Sequence, residues 1–205
     1  MSERCNAYLR RFTMEVKMEK KKFALSLFMI FIIGIMNSYT YFLRGEVFAS
    51  MHTGNIIKAC FDIAAGKYAT LYRYFIPIMA FWAGIISHYF ISKSKRGTII
   101  TWILIPVSYI AGVLIPFGSL DFVAIALLSY GVGIQLQIIR RVNGVDLATT
   151  MCTGNMRSMC ERIAKLIETK DKSHLLGIIT YLSIVISFAL GVTLSAILIL
   201  NNSGV

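Results

Sequence analysis

Two copies of the tripeptide Thr-Gly-Asn are the residues of this chain best suited to bind a small polar group. They are Thr53-Gly54-Asn55 and Thr153-Gly154-Asn155, 100 positions apart in a chain of 205 residues. Each copy follows a long apolar segment and opens a shorter helical one. The free N–H groups and the positive dipole end of a helix start can hold an anion or a polar solute. Threonine and asparagine also cap helix starts, and glycine permits tight packing, so a purely structural role stays open.

Polar side chains inside the apolar segments form the second set of candidate ligands. Asn37 and Thr40 lie three residues apart and therefore share a helix face, while Gln135 and Gln137 lie in a later apolar segment. In lipid such groups need partners, and they either bond between helices or line a cavity. Both interpretations stay open, and Asn37 with Gln135 or Gln137 is the pair we expect.

Arginine residues follow two of the apolar segments. Arg140 and Arg141 form one such pair, and Arg141 is expected to reach toward lipid headgroups, as long basic side chains at span ends do. Arg44 precedes Gly45 and Glu46 on the side that we predict to be external, where positive charge is disfavoured. An ion pair or a contact with solute is therefore the expected role of Arg44. The candidate solute-binding residues are Asn37, Thr40, Arg44, Thr53, Gly54, Asn55, Gln135, Gln137, Thr153, Gly154 and Asn155.

Sequence signatures of catalysis are missing. No zinc motif, phosphate-binding loop, dinucleotide fingerprint or nucleophile triad order occurs, and the four cysteines have no metal-ligand spacing. We therefore expect no enzyme activity, no cofactor and no metal. The dispersed histidines include His88 inside an apolar segment, where a role in proton movement is weighed against simple packing.

The composition indicates an integral membrane protein. The chain is 57% hydrophobic and 15% charged, whereas soluble domains carry about 25% charged residues. The net charge of +11 does not indicate nucleic-acid binding, because the basic residues flank apolar segments, where anionic lipid accounts for them. The lipid bilayer is thus the first expected partner.

Five segments have the length and apolarity of a transmembrane helix, for which about 20 residues are needed. Two shorter helices, 55–65 and 155–168, are expected after the Thr-Gly-Asn copies, and the second is amphipathic and expected to lie at the membrane surface. The fold class is all-α, a polytopic helix bundle. The predicted spans are 23–43, 72–91, 98–117, 122–139 and 175–200.

The distribution of Lys and Arg predicts the orientation of the chain. Basic residues concentrate in the N-terminal tail and in the segments that follow the second and fourth spans. The positive-inside rule then places the N-terminus in the cytoplasm and, with five spans, the C-terminus outside. The expected location is the cell membrane.

The two halves of the chain share more than the tripeptide. Cys60 and Cys160 recur at the same offset, and Phe81-x-x-Gly84 resembles Phe188-x-x-Gly191. A three-span unit repeated in tandem enters the membrane in opposite senses, which is the pattern of inverted repeats in transporters. We predict a basic tail over 1–22, a first half over 23–117, and a second half over 118–205 that lacks its last span.

The paired motifs also resemble a known family. GIMNSYTYFLRGEVF at 34–48 followed by Thr53-Gly54-Asn55, and the segments 133–144 and 149–158, resemble the YoaK-like family of multi-pass bacterial membrane proteins. The resemblance covers about residues 23–200. It implies a helical membrane protein, usually of six spans, and no assigned activity, because the family is a domain of unknown function.

The expected function is a small transporter or channel for a small solute, with an anion as one candidate. The alternative is a non-transporting membrane scaffold or regulatory subunit. That alternative is favoured by the missing sixth span, whose surface a second copy or another membrane chain would supply. An intramembrane enzyme is a third, weaker interpretation.

Overall fold

A computed structural model of the chain describes residues 2–147 and 152–203. These residues form seven α-helices and one β-hairpin, so the helical class predicted from sequence is confirmed. The helices are α1 (Ser2–Leu43), α2 (His52–Ala64), α3 (Tyr72–Ile91), α4 (Gly97–Leu114), α5 (Asp121–Gln135), α6 (Cys152–Thr169) and α7 (His174–Ser203). A 3₁₀ turn, Tyr68–Thr70, precedes α3. Strand β1 (Arg141–Val142) pairs antiparallel with β2 (Val145–Asp146).

Four helices in the described part of the chain are long and apolar enough to cross a membrane. They occupy Lys17–Leu43, Tyr68–Ile91, Gly97–Leu114 and His174–Asn201. Helix α5 is apolar but has 15 residues, which span about 22 Å and fall short of a hydrocarbon core of roughly 30 Å. The predicted end of this segment at Ile139 is wrong. The helix stops at Gln135 and the chain turns, although the apolar run continues.

Both short helices begin earlier than predicted. Helix α2 starts at His52, and Cys152 is already helical in α6, so neither Thr-Gly-Asn lies before its helix. The residue that precedes α2 is Met51, and no side chain caps this helix start. The interpretation of Thr53 as a helix cap is therefore wrong, because the threonine is already a helical residue.

The chain divides into two compact units, and α1 and α7 contribute to both. One unit contains residues 1–30 and 139–187, and the other contains 31–138 and 188–205. This grouping by packing does not bear on the predicted sequence halves 23–117 and 118–205, which stay a prediction.

In the first unit, the β-hairpin is held to helices on both sides. The backbone N–H of Asn143 donates to Glu19 Oε2 at 3.1 Å, and its side-chain amide donates to the hydroxyl of Thr180 at 3.0 Å. The hydroxyl of Tyr181 donates to the carbonyl of Asp146 at 3.0 Å. These bonds fix a hairpin of only two residues per strand, which would be marginal alone.

In the second unit, two helix pairs cross through glycines. A Cβ added to Gly84 on α3 would collide with the carbonyl of Tyr130 on α5, and one added to Gly133 would collide with the carbonyl of Phe81. Because neither glycine has a side chain, the two backbones approach each other closely, as in small-residue contacts of membrane helices.

The second crossing repeats the first. A Cβ on Gly34 of α1 would collide with the carbonyl of Phe188 on α7, and one on Gly191 would collide with the carbonyl of Phe31. In each of the four helices, the carbonyl that would collide with a Cβ on the partner helix belongs to an aromatic residue. That aromatic residue lies three positions before the glycine of its own helix. The aromatic-x-x-Gly pattern therefore has the same packing role at both crossings.

The connections that precede α2 and α6 also share a backbone feature. Gly45 and Glu46 have φ values of 86° and 59°, and Asn143 and Gly144 have values of 52° and 75°. Each left-handed pair is followed by a fully buried valine, Val47 or Val145. A two-residue turn of this kind reverses the chain tightly, and Asn-Gly is its preferred sequence in hairpins.

Candidate functional site

Arg44 is the most completely buried charged residue of the second unit, with 1% of its surface exposed. It lies just beyond the last residue of α1. Nη1 donates to Asp121 Oδ1 at 2.6 Å and to the carbonyl of Pro116 at 3.1 Å. Nη2 donates to the carbonyl of Ile115 at 2.5 Å, and both Nη2 and Nε contact the hydroxyl of Tyr39, at 2.7 and 3.1 Å.

These contacts use all five N–H donors of the guanidinium. The same group lies 4.1 Å from the ring centre of Phe117, which adds a cation–π contact. Arg44 thus joins the end of α1 to the connection between α4 and α5. The ion pair expected from the sequence is present, with Asp121 as its partner. A contact between Arg44 and solute would require it to exchange one of these bonds.

The connection from Arg44 to α2 is held by two asparagines. Asn37 donates from Nδ2 to the carbonyl of Ile33 at 2.9 Å and to Ser50 Oγ at 2.7 Å, and its Oδ1 accepts from the Ser50 N–H at 3.1 Å. The side-chain amide of Asn55 bonds both backbone polar groups of Phe48. Its Oδ1 accepts from the Phe48 N–H at 2.9 Å, and its Nδ2 donates to the Phe48 carbonyl at 2.8 Å. Both amides therefore order the connection.

The remaining residues of the first Thr-Gly-Asn serve different roles. Thr53 is exposed, whereas Gly54 packs under the ring of Phe48, where an added Cβ would lie 3.0 Å from two ring carbons. In the second copy, Thr153 is likewise exposed and Asn155 is buried, with 2% exposure. Thr149, Thr150 and Met151, which belong to the motif before this copy, lie outside the described residues.

Gln135 and Gln137 do not form the expected pair with Asn37. Gln135 Oε1 accepts a 2.6 Å hydrogen bond from the hydroxyl of Tyr109 on α4. Gln137 lies in the turn after α5, not in a span. Both N–H groups of the Asn37 amide already have hydrogen-bond partners, because the connection between α1 and α2 returns past α1 and brings Ser50 to it. Thr40 is fully buried, and its hydroxyl donates to the carbonyl of Asn37 at 3.3 Å.

Two buried hydroxyls in the second unit have no hydrogen-bond partner among the described residues. They are Ser38 Oγ on α1 and Ser129 Oγ on α5, in residues that are 3% and 0% exposed. A buried hydroxyl without a partner costs free energy, so such groups indicate water or a ligand. Sequence analysis missed both, because serine is common in membrane helices.

A polar cleft lies where the end of α3, the start of α4 and the turn after α5 meet. Its volume is about 180 Å³. Gln137 is the predicted site residue that reaches it. Its polar lining is formed by His88, Ser92, Thr98, Thr101, Trp102 and Gln137. The sequence signal that could have indicated it is the concentration of hydroxyl and imidazole groups around the α3–α4 connection.

His52 at the start of α2 is the titratable group of the short helices whose environment is most unusual. Its ring packs on Phe81 with centres 4.4 Å apart, and neither ring nitrogen has a partner among the described residues. Burial lowers the pKa of His52 to about 4. The imidazole is therefore neutral at physiological pH.

Among the described residues, no group of three His, Cys, Asp or Glu side chains could hold a metal ion. The described site is therefore built from amides, hydroxyls and one buried ion pair. Such an arrangement can bind a polar or anionic solute through neutral donors.

Comparison with known proteins gives one match. The model of the family described as "Protein of unknown function (DUF1275)" matches residues 25–205. No curated protein matches the chain. No solved structure matches it.

Proposed function

The chain belongs to the DUF1275 family of proteins of unknown function, and we propose that it is a multi-pass membrane transporter or channel for a small solute. The proposal places it in a cell membrane, with its N-terminus in the cytoplasm, as a YoaK-like bacterial protein with two inverted halves. Four helices that are long and apolar enough to cross a membrane support the membrane setting.

One observation carries the proposal: within the second unit, α1 and α5 carry buried polar side chains. Asn37, Ser38 and Thr40 lie on α1, and Ser129 and Gln135 on α5, and each is at most 5% exposed. Polar side chains inside membrane helices are costly and commonly mark a solute path. The two serines without partners are where water or a solute completes the hydrogen bonding.

The repeated glycine crossings support the inverted arrangement. At each crossing, a carbonyl of an aromatic-x-x-Gly motif packs against the glycine of the other helix. In the proposed repeat, α1 of the first half therefore corresponds to α5 of the second half, and α3 corresponds to α7. The proposal counts the short helix α5 as a fifth span, so that α1 and α5 enter the membrane in opposite senses, as the halves of inverted repeats do.

The predicted site residues then divide between binding and gating. In the proposal, Thr40, Gln135 and the partner-free serines line the path. Arg44, Asn37 and Asn55 hold the connection before α2 in one position, and exchange of their bonds opens it. In the proposal, Thr153, Gly154 and Asn155 of the second copy have the matching role at the start of α6.

Flux into liposomes tests the function directly. The purified chain is reconstituted and screened with inorganic monoanions, short carboxylates, amino acids and sugars. We expect saturable uptake of one class, well above the uptake of protein-free liposomes. Absence of flux for every class, with protein that is monodisperse and helical by circular dichroism, overturns the proposal.

A matched pair of variants distinguishes a residue that lines the solute path from a residue that only stabilises the fold. Ser129→Ala removes a hydroxyl that has no partner, so we expect flux to fall several-fold while thermal stability is unchanged or slightly higher. Ser26→Ala is the control, because Ser26 is equally buried but its hydroxyl donates to the Phe23 carbonyl at 2.7 Å. We expect this control to lower stability slightly and to leave the transport rate of the folded protein unchanged.

A membrane scaffold is the second candidate, and one observation favours it. An apolar groove of about 490 Å³ in the second unit is lined by α1, the end of α4 and α7, including Met36, Phe117 and Leu194. Such a groove could receive a helix of another membrane chain. Pull-down in mild detergent distinguishes the two functions, since a stoichiometric partner together with absence of flux supports the scaffold.

A further inference from the structure

We propose that Arg162, where α6 meets the first turn of α7, binds the phosphate of an anionic phospholipid. All the residues concerned belong to the first unit. The site faces the lipid around the protein and is separate from the solute path proposed above, so the outcome of the flux screen does not decide it. The observation that carries it is a half-buried guanidinium with no acidic partner among the described residues.

Arg162 packs against the backbone of α7 at Gly177. A Cβ added to Gly177 would lie 2.7 Å from Cδ, 2.8 Å from Nε and 2.9 Å from Cζ of the arginine. Gly177 is buried and Arg162 is half-buried. The missing side chain of the glycine therefore leaves the space in which the guanidinium lies. Its charge is held against the protein instead of extending freely into water.

The guanidinium of Arg162 has all its donors available. It forms no hydrogen bond and no ion pair with a described residue, and its nitrogen atoms are not enclosed by protein. A half-buried arginine without a partner is stabilised by an anion, and its planar fork of donors suits phosphate. The acids closest in sequence are occupied or distant: Glu161 pairs with Arg157, Asp171 accepts from Ser173, and Glu168 is exposed six positions further along α6.

The first turn of α7 adds neutral donors beside this charge. The N–H groups of His174 and Leu175 donate to carbonyls of the preceding turn, at 3.3 and 3.1 Å. Those of Leu176 and Gly177 form no such bond among the described residues. Nδ1 of His174 is also buried there without a described partner. The positive end of the helix dipole therefore adds to the attraction that the arginine has for an anion.

Exposed apolar side chains around the site favour a lipid over a free phosphate ion. Four of them at the start of α7 are between 40% and 56% exposed: Leu175, Leu176, Ile179 and Leu182. The stretch His174–Asn201 is long and apolar enough to cross a membrane, so its first turn lies where hydrocarbon meets headgroups. A phospholipid supplies both the negative charge for Arg162 and acyl chains for these side chains, whereas a phosphate ion supplies the charge alone.

The start of α1 brings further positive charge to the same end of α7. The hydroxyl of Ser187 donates to the carbonyl of Leu27 at 2.7 Å. Asn143 of the hairpin bonds both Glu19 and Thr180. Helices α1 and α7 therefore run side by side in the same direction. Three exposed lysines of α1 lie close to the level of the first turns of α7: Lys17, Lys20 and Lys21. Such charges concentrate anionic lipid near the site.

Lipid binding to the purified full chain tests the site. Protein in an uncharged maltoside detergent is titrated with short-chain phosphatidylglycerol, with short-chain phosphatidylcholine and with inorganic phosphate. Physiological ionic strength is used, because salt weakens attraction to exposed charges. The rise in unfolding temperature with ligand concentration measures binding to the folded chain. We expect a saturable rise with phosphatidylglycerol and much smaller effects of phosphatidylcholine, whose choline group cancels the charge, and of inorganic phosphate.

Two variants that lose the same charge locate the site. Arg162→Gln removes the proposed phosphate ligand, and we expect affinity for phosphatidylglycerol to fall about tenfold, the usual effect of losing one hydrogen bond to a charged group. Arg157→Gln is the matched control on the same helix, because Arg157 is exposed and paired with Glu161. Its affinity should change by less than about twofold, since exposed charges contribute little.

Gly177→Ala tests the position of the charge without removing it. The new methyl group would displace the guanidinium of Arg162, and this flexible side chain can move without disrupting the fold. We expect affinity for phosphatidylglycerol to fall several-fold while the net charge stays the same. If Arg162→Gln does not fold, this variant decides, and unchanged affinity in it overturns the proposal.

Three further results would overturn the assignment. Equal binding of phosphatidylglycerol and phosphatidylcholine would show that the charge is not recognised. Equal losses in Arg157→Gln and Arg162→Gln would indicate a diffuse basic surface instead of a site. Saturation by inorganic phosphate at the concentrations at which phosphatidylglycerol saturates would assign the site to a free anion.

Discussion

Gly84 on α3 and Gly133 on α5 meet backbone to backbone, so that a methyl group on either would strike a carbonyl of the other helix. Gly34 and Gly191 repeat this relationship between α1 and α7. The repeated contact links a sequence pattern, aromatic-x-x-Gly, to a packing role, and it supports the proposal that the two halves are equivalents.

Replacing a glycine at either helix crossing by a residue with a side chain should destabilise the protein. Gly84→Val is expected to lower the free energy of unfolding by about 3 kcal/mol, because the obstructing atom is a backbone carbonyl that cannot rotate away. Chemical unfolding in detergent measures this. Ala83→Val adds the same branched group at a neighbouring exposed position and should be nearly neutral. Equal stability of the two variants would contradict the close approach.

The Arg44–Asp121 pair should matter more than any exposed pair. The Arg44 side chain is fully buried and that of Asp121 is 23% exposed, so Asp121→Asn leaves a buried cation without its counter-charge. We expect a loss of about 3 kcal/mol in unfolding free energy. Glu46→Gln breaks the Lys58–Glu46 pair, in which Glu46 is 73% exposed, and should cost less than about 1 kcal/mol. A reversed ranking in thermal unfolding would show that Arg44 is not the anchor of this connection.

The first Thr-Gly-Asn should act through its asparagine. Asn55→Leu removes both bonds to Phe48 and should destabilise the protein by about 2 kcal/mol, whereas Thr53→Ala should change stability by less than about 0.5 kcal/mol. Differential scanning fluorimetry of the two variants measures the contrast. A large effect of Thr53→Ala would restore the interpretation of this threonine as a helix cap.

His52 should make stability depend on pH. Its pKa is about 4 in the fold because burial disfavours the charged ring, and about 6.5 when unfolded, so between these values the unfolded chain binds the extra proton. The free energy of unfolding should therefore fall as the pH drops from 6.5 to 4, by about 3 kcal/mol at most. His52→Phe keeps the contact with Phe81 and should remove this part of the slope. An identical pH profile in the variant would show that the ring is not held neutral.

The sequence was informative wherever the signal is local. Apolar runs of sufficient length located the four long helices, and the period of the short segments located α2 and α6. Asn143-Gly144 between two valines is also a local hairpin signal. By contrast, α5 ends at Gln135 inside an apolar run, so nothing in the composition marked its end.

Partners distant in sequence could not be predicted. Asp121 lies 77 residues from Arg44, and only the fold brings the carboxylate to the guanidinium. The Asn37–Ser50 and Tyr109–Gln135 bonds depend in the same way on how the connection and α4 pack. The sequence therefore located residues that need partners, while packing decided which partners they obtain.

Opposite orientation of the two halves is tested most directly by chemical accessibility. Single cysteines replace the exposed Thr53 or Thr153 in a variant whose four native cysteines are substituted, and a membrane-impermeant maleimide is applied to right-side-out and to inverted vesicles. The proposed arrangement predicts that position 53 reacts from outside and position 153 from the cytoplasmic side. Labelling of both positions from one and the same side would contradict the inverted repeat and, with it, the proposed transport path.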